Sequence, residues 1–312
     1  MCARRPPRAP PLNGAYQRAA VGTVVQVASG TYPYQAIQPR ADLRNLSSGC
    51  TLANSDGCVH FLLSGVNING SLEVFGSDIW LDGGTDRANP GVVVSGNIDS
   101  STGNSCCAPP TTYPDHLFFQ GTRSATFGIF ATDTMTWRDF DVGPATVSTN
   151  CQVKEGPGAE PMIGPSGVGP FVVPRNITID GMWLHGQNGD SGRIAEDCHW
   201  GGLFLNSANG LTIKNSFFEK NVVYNVEIQN FGGAPPATNV TFDSNSFGCP
   251  VDWLYNGAGC DGQSSIQFDG TFPGVTITGN TFADGNGGWG CYRTPCDFSG
   301  DTFENNVVSP AP

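Results

Sequence analysis

Four stretches of this chain repeat one pattern: NITIDGMWL (176–184), GLTIKNSFF (210–218), NVTFDSNSF (239–247) and GVTITGNTF (274–282). Each reads apolar, Thr, apolar, then small or polar residues, then an aromatic or aliphatic residue. Alternation over four or five residues is the period of a strand, not of a helix. With Ile179, Ile213, Phe242 and Ile277 as markers, the steps are 34, 29 and 35 residues. A strand–turn–strand unit recurring at that interval is the signature of a solenoid, in which each unit buries its apolar face only against its neighbours. A β-sandwich would show hairpin turns at shorter, more regular spacing.

The beat continues more faintly at MTWRDFDV (135–142), marker Trp137, and at FENNVV (303–308), marker Phe303. Three residues past the markers stand Ser216, Asn245, Asn280 and Asn306, placed to pass side-chain hydrogen bonds from coil to coil at a tight bend. Five past them stand Val142, Leu184, Phe218, Phe247, Phe282 and Val308, an inward apolar column. With these residues in view, the chain resembles the right-handed parallel β-helix repeat proteins of the pectate-lyase-like superfamily, the actinobacterial secreted type in particular. The resemblance runs from about Gly22 to the C-terminus. It implies an all-β, single-stranded right-handed parallel β-helix of roughly eight to ten coils. That scaffold hosts lyases, hydrolases and non-catalytic surface proteins, so the fold by itself names no activity.

Two domains are expected: a disordered leader at 1–13, basic and Pro-rich, and a β-helix over 14–312. LNGAYQRAA (12–20) is expected to form a short helix capping the open end of the coil. Further strands are expected at Val59–Leu63, Val66–Ile68, Leu72–Phe75, Ile79–Leu81, Val92–Ser95 and Leu117–Gln120. Long insertions fall between the second and third strands of the clear coils, with third strands expected at Phe171–Val173, Leu203–Leu205, Val226–Ile228 and Ile266–Phe268. Such loops stack along one edge of a solenoid, and the edge they border is the candidate cleft.

A net charge of −12, with only 15 Lys and Arg, argues against nucleic acid as a partner. A polysaccharide is the expected partner, the protein acting as a monomer. An acidic glycan would need more than basic residues, so a bridging Ca²⁺ is an expected cofactor; no organic cofactor is implied. Asp82, Asp86 and Asp99, or Asp139 and Asp141, are acidic segments that offer oxygen ligands. Eleven cysteines point to an oxidising compartment, hence a secreted protein. No apolar signal core stands near Met1, so the given start is expected to be trimmed or mis-assigned. No stretch is apolar enough for a membrane span. Spacing suggests the pairs Cys50–Cys58, Cys249–Cys260 and Cys291–Cys296; Cys106, Cys107, Cys151 and Cys198 leave two bridges of open pairing.

The densest chemistry lies in LHGQNGDSGRIAEDCHWGG (184–202), which carries His185, Arg193, His199 and Trp200. His199 is a candidate base, Arg193 a candidate stabiliser of developing charge, and Trp200 a stacking platform, with His185 lining the site. The plainer reading is a solvated Gly-rich loop pinned by Cys198. The next coil adds Lys214, an alternative base, with Lys220 and Tyr224 as substrate contacts. Alternation points Phe204, Glu227 and Gln267 outward in one column, with Asp269 beside them; Glu227 and Asp269 are the carboxylate pair a glycosidase would use. An ordinary solvated sheet face reads the same way. Trp253 and Trp289 are either sugar platforms or loop cores.

Superfamily motifs are mostly missing. Of the NTD, DD, HG and RIK elements of polygalacturonase-like hydrolases, only the HG at His185-Gly186 is present, and the pectate-lyase Arg motif is not found. Resemblance to the chondroitinase and alginate lyases, which use a Lys base and an Arg acid near Ca²⁺, is by residue type in Lys214 or Lys220 with Arg193. The expectation is a secreted polysaccharide lyase acting on a uronate glycan by β-elimination. A glycoside hydrolase, or a glycan-binding adhesin that does not cut, is the alternative.

Overall fold

The computed structural model describes residues 11–40, 42, 50–51, 55–100, 114–147, 153–155, 160–165, 171–187, 201–221, 224–230, 233–249, 264–283, 288–291 and 295–309. Apart from a short antiparallel pair, Thr146–Val147 with Val153–Glu155, the strands pair in parallel, coil upon coil, into a parallel β-helix with three faces. Right-handedness, as expected from the sequence, is the sense that parallel crossovers overwhelmingly take.

The first sheet stacks ten strands: Val24–Val27, Val59–Leu63, Ile79–Asp82, Asp115–Gln120, 133–138, 175–180, Asn209–Lys214, Thr238–Asp243, Thr276–Thr278 and Thr302–Glu304. The markers Trp137, Ile179, Ile213, Phe242, Ile277 and Phe303 form one register column, as the repeat predicts. All but Phe303 are buried, so the coil interior is a continuous apolar column. Outside it, Thr136, Thr178, Thr212, Thr241, Thr276 and Thr302 stack in line, β-branched residues suited to a half-exposed pleat. Beside them Asp180 lies 3.7 Å from both Arg138 and Lys214.

A tight bend leads to the second sheet, and here the Asn column does what its spacing implies. The amide of Ser216 donates to Asn245 Oδ1 at 2.9 Å, the amide of Asn245 to Asn280 Oδ1 at 2.9 Å, and the amide of Asn280 to Asn306 Oδ1 at 3.0 Å. Each side chain thus satisfies a turn N–H of the preceding coil. In the second sheet Val142, Leu184, Phe218, Phe247, Phe282 and Val308 share a column, with Phe247 stacked between Phe218 and Phe282 at 4.8 and 4.9 Å. Val308 is the exception to inward burial: it is 64% exposed, because it sits on the last coil described.

The third sheet comprises 35–37, 72–74, 97–100, 126–130, Met162–Gly164, Leu203–Leu205, Val226–Gln229, Ile266–Asp269 and Trp289–Cys291. In the first four coils it continues the second-sheet strand without a break, and connecting segments precede it only from Met162–Gly164 on. One expectation needs correcting. Phe171–Val173 is not a strand; the third strand of that coil is Met162–Gly164, which pairs with 128–130 and 204–205. Phe171–Val173 instead runs into the next first-sheet strand.

The N-terminal helix spans Pro11–Tyr16. It is shorter than the expected 12–20 and takes in 11–13, part of the expected leader 1–13; residues 1–10 lie outside the described set. Pro at the first helical position suits a start, since its missing N–H would have no partner there. Leu12 and Tyr16 bury against the first coils, so the helix caps the apolar interior. Disulfides join Cys50 to Cys58 and Cys291 to Cys296, as spacing suggested. Cys249 is also disulfide-bonded; Cys260, its expected partner, and Cys106, Cys107, Cys151 and Cys198 lie outside the described residues. No helix among the described residues is long and apolar enough to cross a membrane.

Candidate functional site

The outward face of the third sheet carries Glu73, Asp99, Gly128, Met162, Phe204, Glu227, Gln267 and Gly290 in register. Phe204, Glu227 and Gln267 are therefore neighbours on successive coils, as alternation predicts. Asp269 pairs with Gln229, two residues along, and accepts from Gln229 Nε2 at 2.9 Å. It stands diagonal to Glu227 and does not face it.

The carboxylate that comes close to Glu227 is one the sequence did not single out. Glu160 stands two residues before Met162, just outside the strand Met162–Gly164. Its Oε2 accepts from the Tyr224 hydroxyl at 2.9 Å and from the Gly201 amide at 3.0 Å. Tyr224, buried, also hydrogen-bonds Glu227, so one phenol links two carboxylates. Gly201 is required here for space: a Cβ would lie 2.2 Å from the Tyr224 ring. Burial pushes the Glu160 carboxyl up to about 7; the Gly201 amide and the Tyr224 hydroxyl pull it down, and Glu227 adds repulsion. Two carboxyl groups in contact with one hydroxyl, one held neutral near pH 7, form the kind of pair that can divide acid and base roles.

A second carboxylate pair lies on the same column. Burial first, and the neighbouring Glu73 carboxylate second, push Asp99 up to about 7 against the favourable Gly128 amide. Tyr34 donates its hydroxyl to Glu73, and Asn97 donates to Asp99.

Other expected site residues are dispersed. Lys214 is on the first sheet, in the ion pair with Asp180, because its strand belongs to that face; it cannot join Glu227. His185 is on the second sheet, where its Nε2 lies 2.9 Å from Asp141 and its ring stacks on Trp183 at 3.9 Å. Asp141 also accepts from Arg123 Nε at 2.6 Å, and Trp183 donates to Glu219 at 3.0 Å. Lys220 follows the second-sheet strand Phe217–Glu219 and is exposed, with φ 54°. Tyr224 and Gln267 are buried at 2% and 3%, so neither is an open platform. Trp289 stacks on Phe303 at 5.0 Å and packs against Phe282, which makes it the end of the interior column and not a sugar-stacking surface. His199, Arg193, Trp200 and Trp253 lie outside the described residues.

The acidic residues expected to offer Ca²⁺ ligands are engaged as follows. Asp82 pairs with His60 at 3.1 Å, Asp86 caps its own turn through Ala88 and Asn89, and Asp99 is on another sheet. Asp139 is pushed up by burial, and Asp141 is engaged with Arg123 and His185.

No protein-family model and no curated protein matches the chain. Solved structures that share its general shape include endo-xylogalacturonan hydrolase from Aspergillus tubingensis, at TM-score 0.43 and 10% identity, covering 96% of this chain and 88% of that one. A likeness of that size carries no inference about activity or substrate.

Proposed function

We propose that this chain is an extracellular carbohydrate-active enzyme that cleaves a glycosidic bond by hydrolysis on the third-sheet face. The observation that carries the reading is the Glu160–Tyr224–Glu227 group, set between Phe204 and Gln267 on a face bordered by the long connections. Glu160, neutral up to about pH 7, serves as proton donor to the leaving oxygen; Glu227 serves as its partner in the pair. Contact of both carboxyls with one hydroxyl brings their nearest oxygens within about 6 Å, close to the separation of retaining enzymes. The disulfides support an oxidising, extracellular setting.

β-Elimination on a uronate glycan is the second reading. It is favoured by His185, held by Asp141 as a base is held by its orienting carboxylate, with Arg123 on that same carboxylate. It would place the chemistry on the second sheet.

The test is incubation with a panel of plant, algal and animal polysaccharides, reading reducing ends and the absorbance of unsaturated uronate. Hydrolysis gives reducing ends without that absorbance, and Glu160→Gln and Glu227→Gln each lower the rate by about 100-fold or more while the far-UV spectrum is kept. Unsaturated product abolished by His185→Ala moves the chemistry to the second sheet. Binding without any product leaves a glycan-binding solenoid.

A further inference from the structure

At the corner where the coils from Asp78 onward enter the first sheet, one position per coil is left-handed. Thr134, Asn176 and Asn239, with φ of 55°, 53° and 55°, and Gly210 and Gly274 fill it in the later coils. Gly adopts this conformation freely, and Asn, Asp and His are the side-chain-bearing residues most often found in it. Two consecutive early coils put Asp78 (φ 55°) and His116 (φ 51°) there instead, and Asp115 precedes His116.

These three side chains converge. His116 Nδ1 is 3.5 Å from Asp78 Oδ1 and 3.5 Å from Asp115 Oδ1, and one ligand atom from each residue lies within 4.8 Å of the others. The Asp78 side chain is fully buried, with the Cys50 amide as its one backbone donor; Asp115 Oδ1 and His116 Nδ1 are likewise buried, and neither makes a well-formed hydrogen bond. Two carboxylates brought this close to each other and to one imidazole nitrogen in the interior are costly for the fold unless a cation lies among them. A tetrahedral ion with ligands at its usual bond lengths sets them about 3.3 Å apart.

We propose that Asp78, Asp115 and His116 hold a divalent transition-metal ion of the Zn²⁺ or Mn²⁺ class. A divalent ion neutralises the two carboxylates, and the imidazole nitrogen selects against Ca²⁺, which takes oxygen ligands. The ion fastens two coils together under the cap: Tyr16 donates its hydroxyl to the Ser77 carbonyl at 2.7 Å, and the Asp115 amide donates to Ser77 Oγ at 3.1 Å. The site is on the first sheet and is separate from the Glu160–Glu227 group.

Calorimetric titration of the full, chelator-stripped protein with Zn²⁺, Mn²⁺ and Ca²⁺ tests it, with Co²⁺ absorption as a ligand-field readout. The expected result is one Zn²⁺ or Mn²⁺ per chain, Ca²⁺ binding at least ~100-fold weaker, and a melting temperature raised by the bound ion. His116→Ala and Asp78→Asn each weaken binding at least ~100-fold; His116→Ala, at a partly exposed side chain, provides a folded variant if Asp78→Asn does not fold. A folded wild type that binds neither ion, or binding that survives in a folded His116→Ala, overturns the proposal. Ca²⁺ binding as tight as Zn²⁺ overturns the choice of ion.

Discussion

Asn280 shows how much one amide does at the bend between the first and second sheets. Its Oδ1 accepts the Asn245 amide at 2.9 Å, while its Nδ2 donates to the Phe242 carbonyl at 2.9 Å and to Asn306 Oδ1 at 3.0 Å. The residue is completely buried, so water cannot replace these bonds. Asn280→Ala strands a buried N–H and a buried carbonyl, each costing about 1–3 kcal/mol. The expected loss is about 3 kcal/mol in urea unfolding. Asn306→Ala, on the last described coil and partly exposed, is expected to cost about 1 kcal/mol. Equal costs at the two positions would mean that the ladder is decoration on bends fixed by other contacts.

The elements that could be read in advance are those with enough alternation to carry a period. First- and second-sheet strands run up to eleven residues as a joined pair, Arg175–His185, and their register columns follow directly from the repeat. Third-sheet strands are only three or four residues long after coil four, and Met162–Gly164 offers one buried apolar beat between glycines and prolines. Three residues cannot distinguish period two from chance. Glu160 goes unmarked for the same reason: its place beside Tyr224 follows only once Met162 is known to begin a strand paired with 204–205. The cap, in contrast, was legible, because a solenoid must close its open end and only one segment before Gly22 had helical character. Its anchor is Tyr16, which accepts the Ser77 amide at 3.1 Å and lies under the Arg40 guanidinium at 5.3 Å. Tyr16→Phe removes the hydroxyl bonds alone and is expected to cost about 1–2 kcal/mol. Tyr16→Ala also leaves a cavity and is expected to cost about 3–5 kcal/mol by thermal or denaturant unfolding. If the alanine variant melts with the wild type, the helix rests on the coil without sealing it.

Contacts between coils bring together residues 20–40 positions apart, and the pattern within one coil says nothing about which polar groups will meet. Phe204, Glu227 and Gln267 could be aligned because their coils share a clear beat; Asp78 with His116, and Glu73 with Asp99, come from early coils whose spacing is irregular. What stacking does to those acids has a consequence for the whole molecule. Asp99 and Glu160 are both raised to about 7, against ordinary values near 4. Between about pH 4 and pH 7 the folded chain therefore holds protons that the unfolded chain has released, and stability falls as pH rises through that window. The excess of 27 acids over 15 bases acts in the same direction, since repulsion grows as pH moves above the pI near 4.5. The melting temperature is thus expected to be higher at about pH 5 than at about pH 7.5. Asp99→Asn and Glu160→Gln separate the two contributions: each removes one titrating group and should flatten the curve, whereas general repulsion would leave its slope nearly as it was. A melting temperature that rises across the same interval would mean that these carboxyl groups are ionised at neutral pH, and Glu160 would then lack the proton that its role as general acid requires.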